Sequence, residues 1–479
     1  MIRRLASQYG INYATTIVYM LQSTEYQVRP YLAWYRRVDN FGKVMKRRKF
    51  AKTMAARILR AGMVCGMLFQ IGLAILLFLF GSSKDELVLQ ALGILIALAS
   101  PQVWARMIII PLWAGKKLIT EPKHQKQIKA SERIFRDHPG VKIAVLGSYG
   151  KTTMKELLVT VLSEEKVVAA TPANKNVAIS HAIFASKLKG DEEVLVIEYG
   201  EGAPGDIDRF ASITHPDLAV ITGLAPAHLD QYPTFEAAAQ DIFSIDQFVG
   251  PKEVFVNSEP EAVKPYLRDE FVKYNSSSIG DWQVSDVSAS ITATSFSLNN
   301  GKDTLKIQSG LLGEHQVGPL AAVAVIAHKL GVSKKAIEIG LAKTTAFEHR
   351  LQPRQLHGGW ILDDTYNGNI EGIRAGLKLL SNLKAKRKIY VTPGLVDQGV
   401  ETERVHQEMG QAIAQAQPDV VVLMQNSVTG YIKAGMERAG FNGEIRIEED
   451  PLEFYTNIEH FIAAGDIVLM QNDWTDNYN

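Results

Sequence analysis

Two uncharged runs near the start of the chain limit its possible architectures more than any other feature. Ala61 to Phe80 is twenty residues with no charge and a single amide, Gln70. As a helix it spans about 30 Å, the thickness of a bilayer hydrocarbon core. Gly81 to Glu86 is a short polar break. Leu87 to Val103 is a second uncharged run, weakened by Gln90, Ser100-Pro101 and Gln102. Two such runs predict a hairpin of transmembrane helices over 61–80 and 87–103, both close to the minimum spanning length, with both outer ends on one side. Residues 1–60 hold thirteen Lys or Arg against two acids, and Arg106, Lys116, Lys117, Lys123, Lys126 and Lys129 follow the second run. The intervening loop has only Lys84 against Asp85 and Glu86. By the positive-inside rule both flanks are cytoplasmic, which predicts an inner (cytoplasmic) membrane protein with the lipid bilayer as a partner. A buried hairpin inside a soluble domain is the competing reading. A signal peptide is not expected, because the first apolar run starts sixty residues in and no small-residue cleavage pattern follows it.

Residues 11–49 mix Ile17, Val18, Tyr31, Leu32, Trp34 and Tyr35 with the basic cluster Lys46-Arg47-Arg48-Lys49. An interfacial helix on the anionic inner leaflet and a solvated basic tail both fit this pattern. Beyond about residue 125 the chain reads as a balanced soluble protein. The net charge of +1 gives no indication of nucleic acid. The single cysteine, Cys65, excludes a disulfide framework and fits a reducing compartment.

Lys142 to Leu146 is a short apolar strand that runs into Gly147-Ser148-Tyr149-Gly150-Lys151-Thr152-Thr153, after which Leu157, Leu158, Val161 and Leu162 fall at helical spacing. Strand, glycine turn and helix are the required context for a phosphate loop. Glycines let backbone N–H groups approach phosphate oxygens, and the helix N-terminus adds a favourable dipole. Lys151 is placed for the β- and γ-phosphates and Thr152 for Mg²⁺. Position 145 is Val, so the match is to the short GxxGKTT form.

This loop resembles that of the Mur ligases, which build the peptide of bacterial cell-wall precursors. Further segments match in the family's order: Thr171 to Asn176 with Ile179; Val194 to Gly200 with Gly205-Asp206-Ile207; Val220 to Thr222 with Ala225 to Asp230; Gly313 to Val317; Arg350; Asp363 to Asn369; Thr392 to Gly399; and His406. The likeness covers roughly residues 140–470 and is greatest to the branch that adds D-alanyl-D-alanine. It implies ATP and Mg²⁺ as cofactors, and as partners a cell-wall peptide precursor (UDP-linked or lipid-linked) and an amino-acid or dipeptide donor. ATP would phosphorylate a carboxylate, and an amine would then attack the acyl phosphate.

The residues that would carry this chemistry follow from the matched positions. Lys151, Glu198 and His228 are the candidate catalytic groups. Thr152, Glu198 and His228 are the candidate metal ligands, with Asp230 nearby. Gly147, Ser148, Tyr149, Gly150, Lys151, Thr152 and Thr153 would hold the phosphates. His315 and Gln316 would lie near adenine, and Arg350 and Asp364 would meet the nucleotide from a second domain. Asn174, Asn176, Tyr366 and Asn367 would contact substrate. Glu198 follows the apolar strand Val194–Ile197, and such strand ends face the ligand crevice of α/β sheets. His406 would pack or cap.

The pattern breaks in four places. Many family members carry a carbamylated lysine whose carboxylate helps hold a second metal. Counting from Glu236 puts Ile242 there, and Asp241 or Asp246 is the candidate substitute. Gln316 replaces the family's Asn, and Pro319 stands where a second Asn is common. The tail after Gly465 to Leu469 lacks the usual Gly-Ser continuation. The family's N-terminal domain, which binds the UDP part of the substrate, has no visible counterpart, and the hairpin occupies its place.

The expected organisation is a membrane-anchoring module over 1–125, a central ATP-binding P-loop domain over 126–346 with a mostly parallel sheet, and a C-terminal Rossmann-like α/β domain over 347–479. Gln283–Gln308 reads as a short antiparallel insertion. Three functional readings stay open: the ligase, a different membrane-attached P-loop ATPase, and a non-catalytic ATP-binding scaffold.

Overall fold

A computed structural model describes all residues except 1, 25, 45–49, 174, 226–231, 233, 367, 397, 399–400 and 473–479. The chain divides into two compact units, Met1–Lys126 and Gln127–Asn479.

The first unit is helical. Helix Met54–Ser83 is thirty residues long and pairs with helix Leu87–Met107 through the turn 84–86. The first helix is thus well above minimum length, because its apolar run is extended at both ends by residues that helix geometry tolerates. Only 17% of the most apolar stretch of each helical run is buried, unlike the core helix of a soluble protein. The two helices approach closely at a small residue. A Cβ on Gly93 would lie 2.7 Å from the Ala74 carbonyl oxygen.

Neither expectation for residues 11–49 describes what forms there. Helices Tyr13–Ser23 and Val28–Arg37 pack into a core with Phe41, Leu59, Met63, Ala105 and Ile108, leaving Ile17, Val18, Leu21 and Tyr31 with no exposed surface. The cluster Lys46–Lys49 lies outside the described residues. Three tyrosine hydroxyls donate to backbone carbonyls along one side of helix Leu87–Met107: Tyr9 to Leu98 (2.6 Å), Tyr13 to Pro101 (3.1 Å) and Tyr31 to Ala105 (2.7 Å). Pro101 has no N–H for the Ala97 carbonyl one turn earlier. The Tyr9 hydroxyl lies 3.5 Å from that carbonyl.

In the second unit, ten strands form one sheet: β1 (Val141–Leu146), β2 (Val168–Ala170), β3 (Val194–Glu198), β4 (Leu218–Ile221), β5 (Val254–Asn257), β6 (Val272–Tyr274), β7 (Ser278–Ile279), β8 (Trp282–Ala289), β9 (Thr294–Asn299) and β10 (Thr304–Ser309). Their order is β10-β9-β8-β7-β6-β5-β4-β1-β3-β2, parallel from β2 to β6 and antiparallel beyond. The stretch expected as an insertion therefore extends the main sheet. Alternation along the strands feeds both faces. Ile143, Val145, Val194 and Val196 pack under helices Lys151–Leu162 and Val317–Lys329, while Ala144, Leu146, Leu195 and Ile197 pack on the opposite side with Phe210 and Phe243.

A second sheet has the order β11-β12-β16-β13-β14-β15. Its strands are β11 (Gln352–Leu356), β12 (Gly359–Asp364), β13 (Arg387–Thr392), β14 (Val420–Met424), β15 (Glu444–Glu448) and β16 (Asp466–Gln471). All pairs are parallel except β11 with β12. Helices Ile370–Asn382, Thr402–Ala416 and Thr429–Arg438 cover one face, and Phe454, Ile458 and Phe461 pack on the other.

Gly93→Leu should splay the hairpin, because its side chain would meet backbone rather than a movable side chain. Overpacking of this kind costs about 1–3 kcal/mol. The expected result is a lower melting temperature for the detergent-purified chain.

Candidate active site

β1 lies between β3 and β4, so chain order reverses on either side of it. This is where open α/β sheets leave a crevice beyond their strand ends. The turn Gly147–Gly150 leaves β1 at that crevice. Gly147 has φ +131°, and a Cβ there would meet Thr222 Oγ1 at 2.5 Å. Ser148 N donates to the Gly223 carbonyl (2.9 Å), and the Thr222 hydroxyl lies against the carbonyls of Leu146 and Tyr149. Helix Lys151–Leu162 begins immediately after the turn. Lys151 Nζ donates to the Gly147 carbonyl and to Glu201 Oε1 (3.3 Å), and Ser148 Oγ donates to Glu201 Oε2 (3.3 Å).

Glu198 is the last residue of β3, level with Val145, and is 1% exposed. Its Oε1 accepts from Thr152 Oγ1 and from Asn176 Nδ2, both at 3.3 Å. Lys155, with a wholly buried side chain, places its ammonium 3.4 Å from Oε2 and donates to the carbonyls of Thr171 (3.0 Å) and Ala173. His181 donates from Nε2 to the Glu198 carbonyl (2.9 Å). Burial holds the His181 ring at about 4, below the ordinary histidine value, so it is neutral.

Glu198 Oε2 is buried and has no hydrogen bond. A buried carboxylate oxygen that pairs with the Lys155 ammonium but has no hydrogen bond, beside a threonine hydroxyl at a helix start, fits Mg²⁺, which takes one or two protein oxygens and completes its shell with phosphates and water.

A cavity of about 480 Å³ opens from the turn toward the second sheet, lined by Tyr149, Thr153, Asn257, Tyr274, His315, Gln316, Arg350, Asp364 and Tyr366 among others. Arg350 Nη1 is 3.5 Å from Thr153 Oγ1, and its guanidinium stacks 4.5 Å from the centre of the Tyr366 ring. Asp364 ends β12 and accepts from Leu351 N (3.2 Å) and Gln471 Nε2 (2.7 Å). Burial raises its carboxyl to about 6 against these hydrogen bonds and the Arg350 charge. His315 Nε2 accepts from the Gln316 amide (2.8 Å), and burial followed by nearby Lys378 lowers the ring to about 4.

Of the expected site residues, Gly147 to Thr153, Asn176 and Glu198 gather at the crevice, and His315, Gln316, Arg350, Asp364 and Tyr366 line the cavity. His228, Asp230, Asn174 and Asn367 lie outside the described residues. Ile242 is fully buried in the apolar core. Asp246 pairs with Arg268. Asp241 accepts from Gly205 N (2.7 Å) and Tyr232 OH (2.9 Å), and burial raises its pKa. His406 donates to the Thr402 carbonyl (2.6 Å) and accepts from Leu395 N (3.0 Å), a buried brace for the turn after β13.

Lys155 and Glu201 were not foreseen. Lys155 lies one helical turn after Lys151, on the same side of the helix, and this spacing is a signal the sequence does carry. Glu201 has no such signal, since only the folded loop brings it to the turn.

Fold and site together define an α/β chain whose two sheets meet at one cavity beside a glycine turn. Residues 145–327 match the Mur ligase middle domain and residues 349–471 the Mur ligase glutamate ligase domain, and the chain belongs to the Mur ligase family. Among its relatives is the UDP-N-acetylmuramoyl-tripeptide–D-alanyl-D-alanine ligase of Bacillus subtilis, 28% identical over 344 residues, covering 69% of this chain and 72% of that one. The Escherichia coli enzyme of the same name is 26% identical, covering 59% of this chain and 64% of that one, which is under two thirds of the relative's length. The fold is similar to MurF ligase of Thermotoga maritima, solved in complex with ADP, with a TM-score of 0.63 at 23% identity over 73% of this chain and 80% of that one. MurF of Acinetobacter baumannii gives a TM-score of 0.63 at 21% identity over 73% and 77% of the two chains.

Lys155→Met would leave Glu198 buried and uncompensated. The expected loss is about 3–5 kcal/mol of stability in denaturant unfolding, largely recovered when Glu198→Gln is added. Asp364 has a folded pKa above its unfolded value, so its contribution to stability is present below about pH 4 and lost as pH rises through about 6. Asp364→Asn should therefore gain about 1 kcal/mol over the parent at pH 8, and thermal melts should show that gain fading toward pH 4.

Proposed function

We propose that the chain is an ATP-dependent peptide ligase of cell-wall precursor synthesis that joins D-alanyl-D-alanine, or a related amine, to a muramoyl-peptide carboxylate. The observation that carries this reading is the meeting of Arg350 and Asp364 with the Gly147–Thr153 turn across one cavity. Hydrolysis alone needs no such enclosure. An acyl phosphate does, because water would destroy it before the amine attacked.

In this reading ATP transfers its γ-phosphoryl group to the acceptor carboxylate. The amine nitrogen attacks the acyl carbon, and the carbon–phosphate oxygen bond breaks. ADP, phosphate and the amide leave. Lys151 neutralises the transferring phosphoryl group, and the backbone of Gly147 to Gly150 with Thr153 cradles the phosphates. Thr152 and Glu198 would hold Mg²⁺, with His228 added by the family resemblance, and the ion would supply charge neutralisation at the phosphates when bound. His315 and Gln316 lie beside the base, and the neutral His315 ring suits that role. Arg350 and Asp364 close on the nucleotide from the second domain. Asn176 and Tyr366 would contact the peptide, and the family resemblance implies the same role for Asn174 and Asn367.

The domain limits that fit this reading are 126–346 for the ATP-binding P-loop domain and 347–479 for the Rossmann-like C-terminal domain. The module over 1–125 anchors both at the cytoplasmic face of the inner membrane through its hairpin. Two helices long and apolar enough to cross a bilayer, with their apolar surface exposed, support that part. An anchored active site would favour a lipid-linked acceptor by raising its local concentration.

Phosphate release from ATP with Mg²⁺, measured with UDP-linked and lipid-linked muramoyl-tripeptides plus D-alanyl-D-alanine, tests the proposal. Turnover with the matching mass gain in the acceptor is expected, and Lys151→Ala should lower it by about 100-fold or more. Nucleotide binding without turnover on either acceptor would favour a non-catalytic scaffold instead.

A further inference from the structure

Leu5 to Thr24 is a run of twenty residues without charge, bounded by Arg3-Arg4 and by Glu25. It forms helix Ile2–Ser7, a turn over 8–12 and helix Tyr13–Ser23. Its contacts with the hairpin fix its level. Arg4 and Arg106 lie against the same ring, that of Tyr35, at 5.8 and 5.2 Å from its centre. Tyr9 OH donates to the Leu98 carbonyl (2.6 Å) and Tyr13 OH to the Pro101 carbonyl (3.1 Å). Gln22 Nε2 donates to the Ala51 carbonyl (2.7 Å), ahead of helix Met54–Ser83. The segment therefore descends from the level of Arg106 to that of Leu98 and climbs back to the base of the hairpin. Leu98 to Arg106 is about 12 Å along the helix.

Where the hairpin spans a bilayer, Arg4 and Arg106 fall among the headgroups. The turn then lies inside the cytoplasmic half of the hydrocarbon core, which is about 15 Å deep. Its chemistry suits that place. Ile11 is fully exposed and Tyr9 is 45% exposed, at the level of the exposed Leu95 and Leu98 of the hairpin. The polar groups turn inward. Gln8 is buried and donates to Tyr35 OH (3.3 Å). Gln8 N, Tyr9 N and Gly10 N donate to the carbonyls of Leu5, Ala6 and Ser7, and the carbonyls of Gly10 and Asn12 accept from Tyr13 N and Thr16 N. Backbone in hydrocarbon has to be satisfied in this internal way. Asn12 is exposed beside Ile11, and an amide is costly in hydrocarbon, so the tip stops short of the midplane.

We infer that residues 5–24 form a re-entrant wedge that enters the cytoplasmic leaflet end-on, with Tyr9 and Ile11 against lipid acyl chains and Arg3 and Arg4 at anionic headgroups. This rests on the bilayer part of the reading above. The wedge does not cross the membrane, so the anchor is broader in the cytoplasmic leaflet than in the other.

The test places a nitroxide at Ile11→Cys in the full chain, with Cys65→Ala removing the native thiol, in vesicles of phosphatidylethanolamine and phosphatidylglycerol. Because Ile11 is fully exposed, the label leaves the packing intact. Leu95→Cys is the reference for a lipid-facing span, and Lys302→Cys, in an exposed turn, is the reference for water. Electron paramagnetic resonance saturation is measured with oxygen, which concentrates in acyl chains, and with a water-soluble nickel chelate. Position 11 should follow position 95, reached by oxygen and not by nickel, at a depth of about 10 Å below the phosphates. Nickel access at 11 with position 95 dry would overturn the wedge and leave the membrane hairpin standing. Nickel access at both would remove the two together. Shielding of position 11 from both reagents, or dipolar broadening between labels, would also overturn the inference, since protein or a second copy of the chain would then cover the turn.

Discussion

The ion pair of Lys155 and Glu198 is the contact on which the rest of the site depends. It joins the helix after the glycine turn, the end of β3 and the loop at Thr171–Ala173, three segments that are distant in sequence. A carboxylate this deeply buried is tolerable only with a nearby cation. Lys155 sits 3.4 Å from Oε2 without a hydrogen bond to it, while Oε1 accepts from Thr152 and Asn176. The arrangement stabilises the fold less than an apolar contact of the same volume would. What it secures is a fixed, buried position for the carboxylate beside the glycine turn.

The second sheet contributes from the opposite side. Arg350 and Asp364 are anchored to different parts of it, the arginine by stacking on Tyr366 and the aspartate by Gln471 and Leu351 N. Asp364 is held where burial opposes its charge. A buried carboxylate at a strand end is the usual exchange of stability for function.

The helical unit follows a different physical rule. Its hairpin buries little of its apolar surface, while the short helices before it bury nearly all of theirs against the hairpin's base. Tyrosines serve there because they offer an apolar ring to the core and a hydroxyl to helix carbonyls, including the region where Pro101 interrupts the hydrogen-bond ladder. Hydropathy alone misjudged this segment, since its basic residues and aromatics fit an interfacial helix or a tail equally well.

Much of the site was legible beforehand. Apolar runs marked β1 and β3 to within a residue, because a strand buried on both faces must be apolar throughout. The glycine turn was legible because only glycine accepts the backbone angle and the Thr222 contact at position 147. The sequence by itself therefore determined the apolar hairpin, the strands on either side of the crevice, and the glycine turn Gly147–Gly150, all of which are local consequences of side-chain size, charge and period. Only the tertiary structure decided that the antiparallel strands extend the main sheet, that Lys155 lies under Glu198, and that Glu201 reaches Lys151 and Ser148. Those outcomes depend on strand pairing and loop path between segments far apart in the chain, and no local pattern encodes where a long-range contact will place a charge.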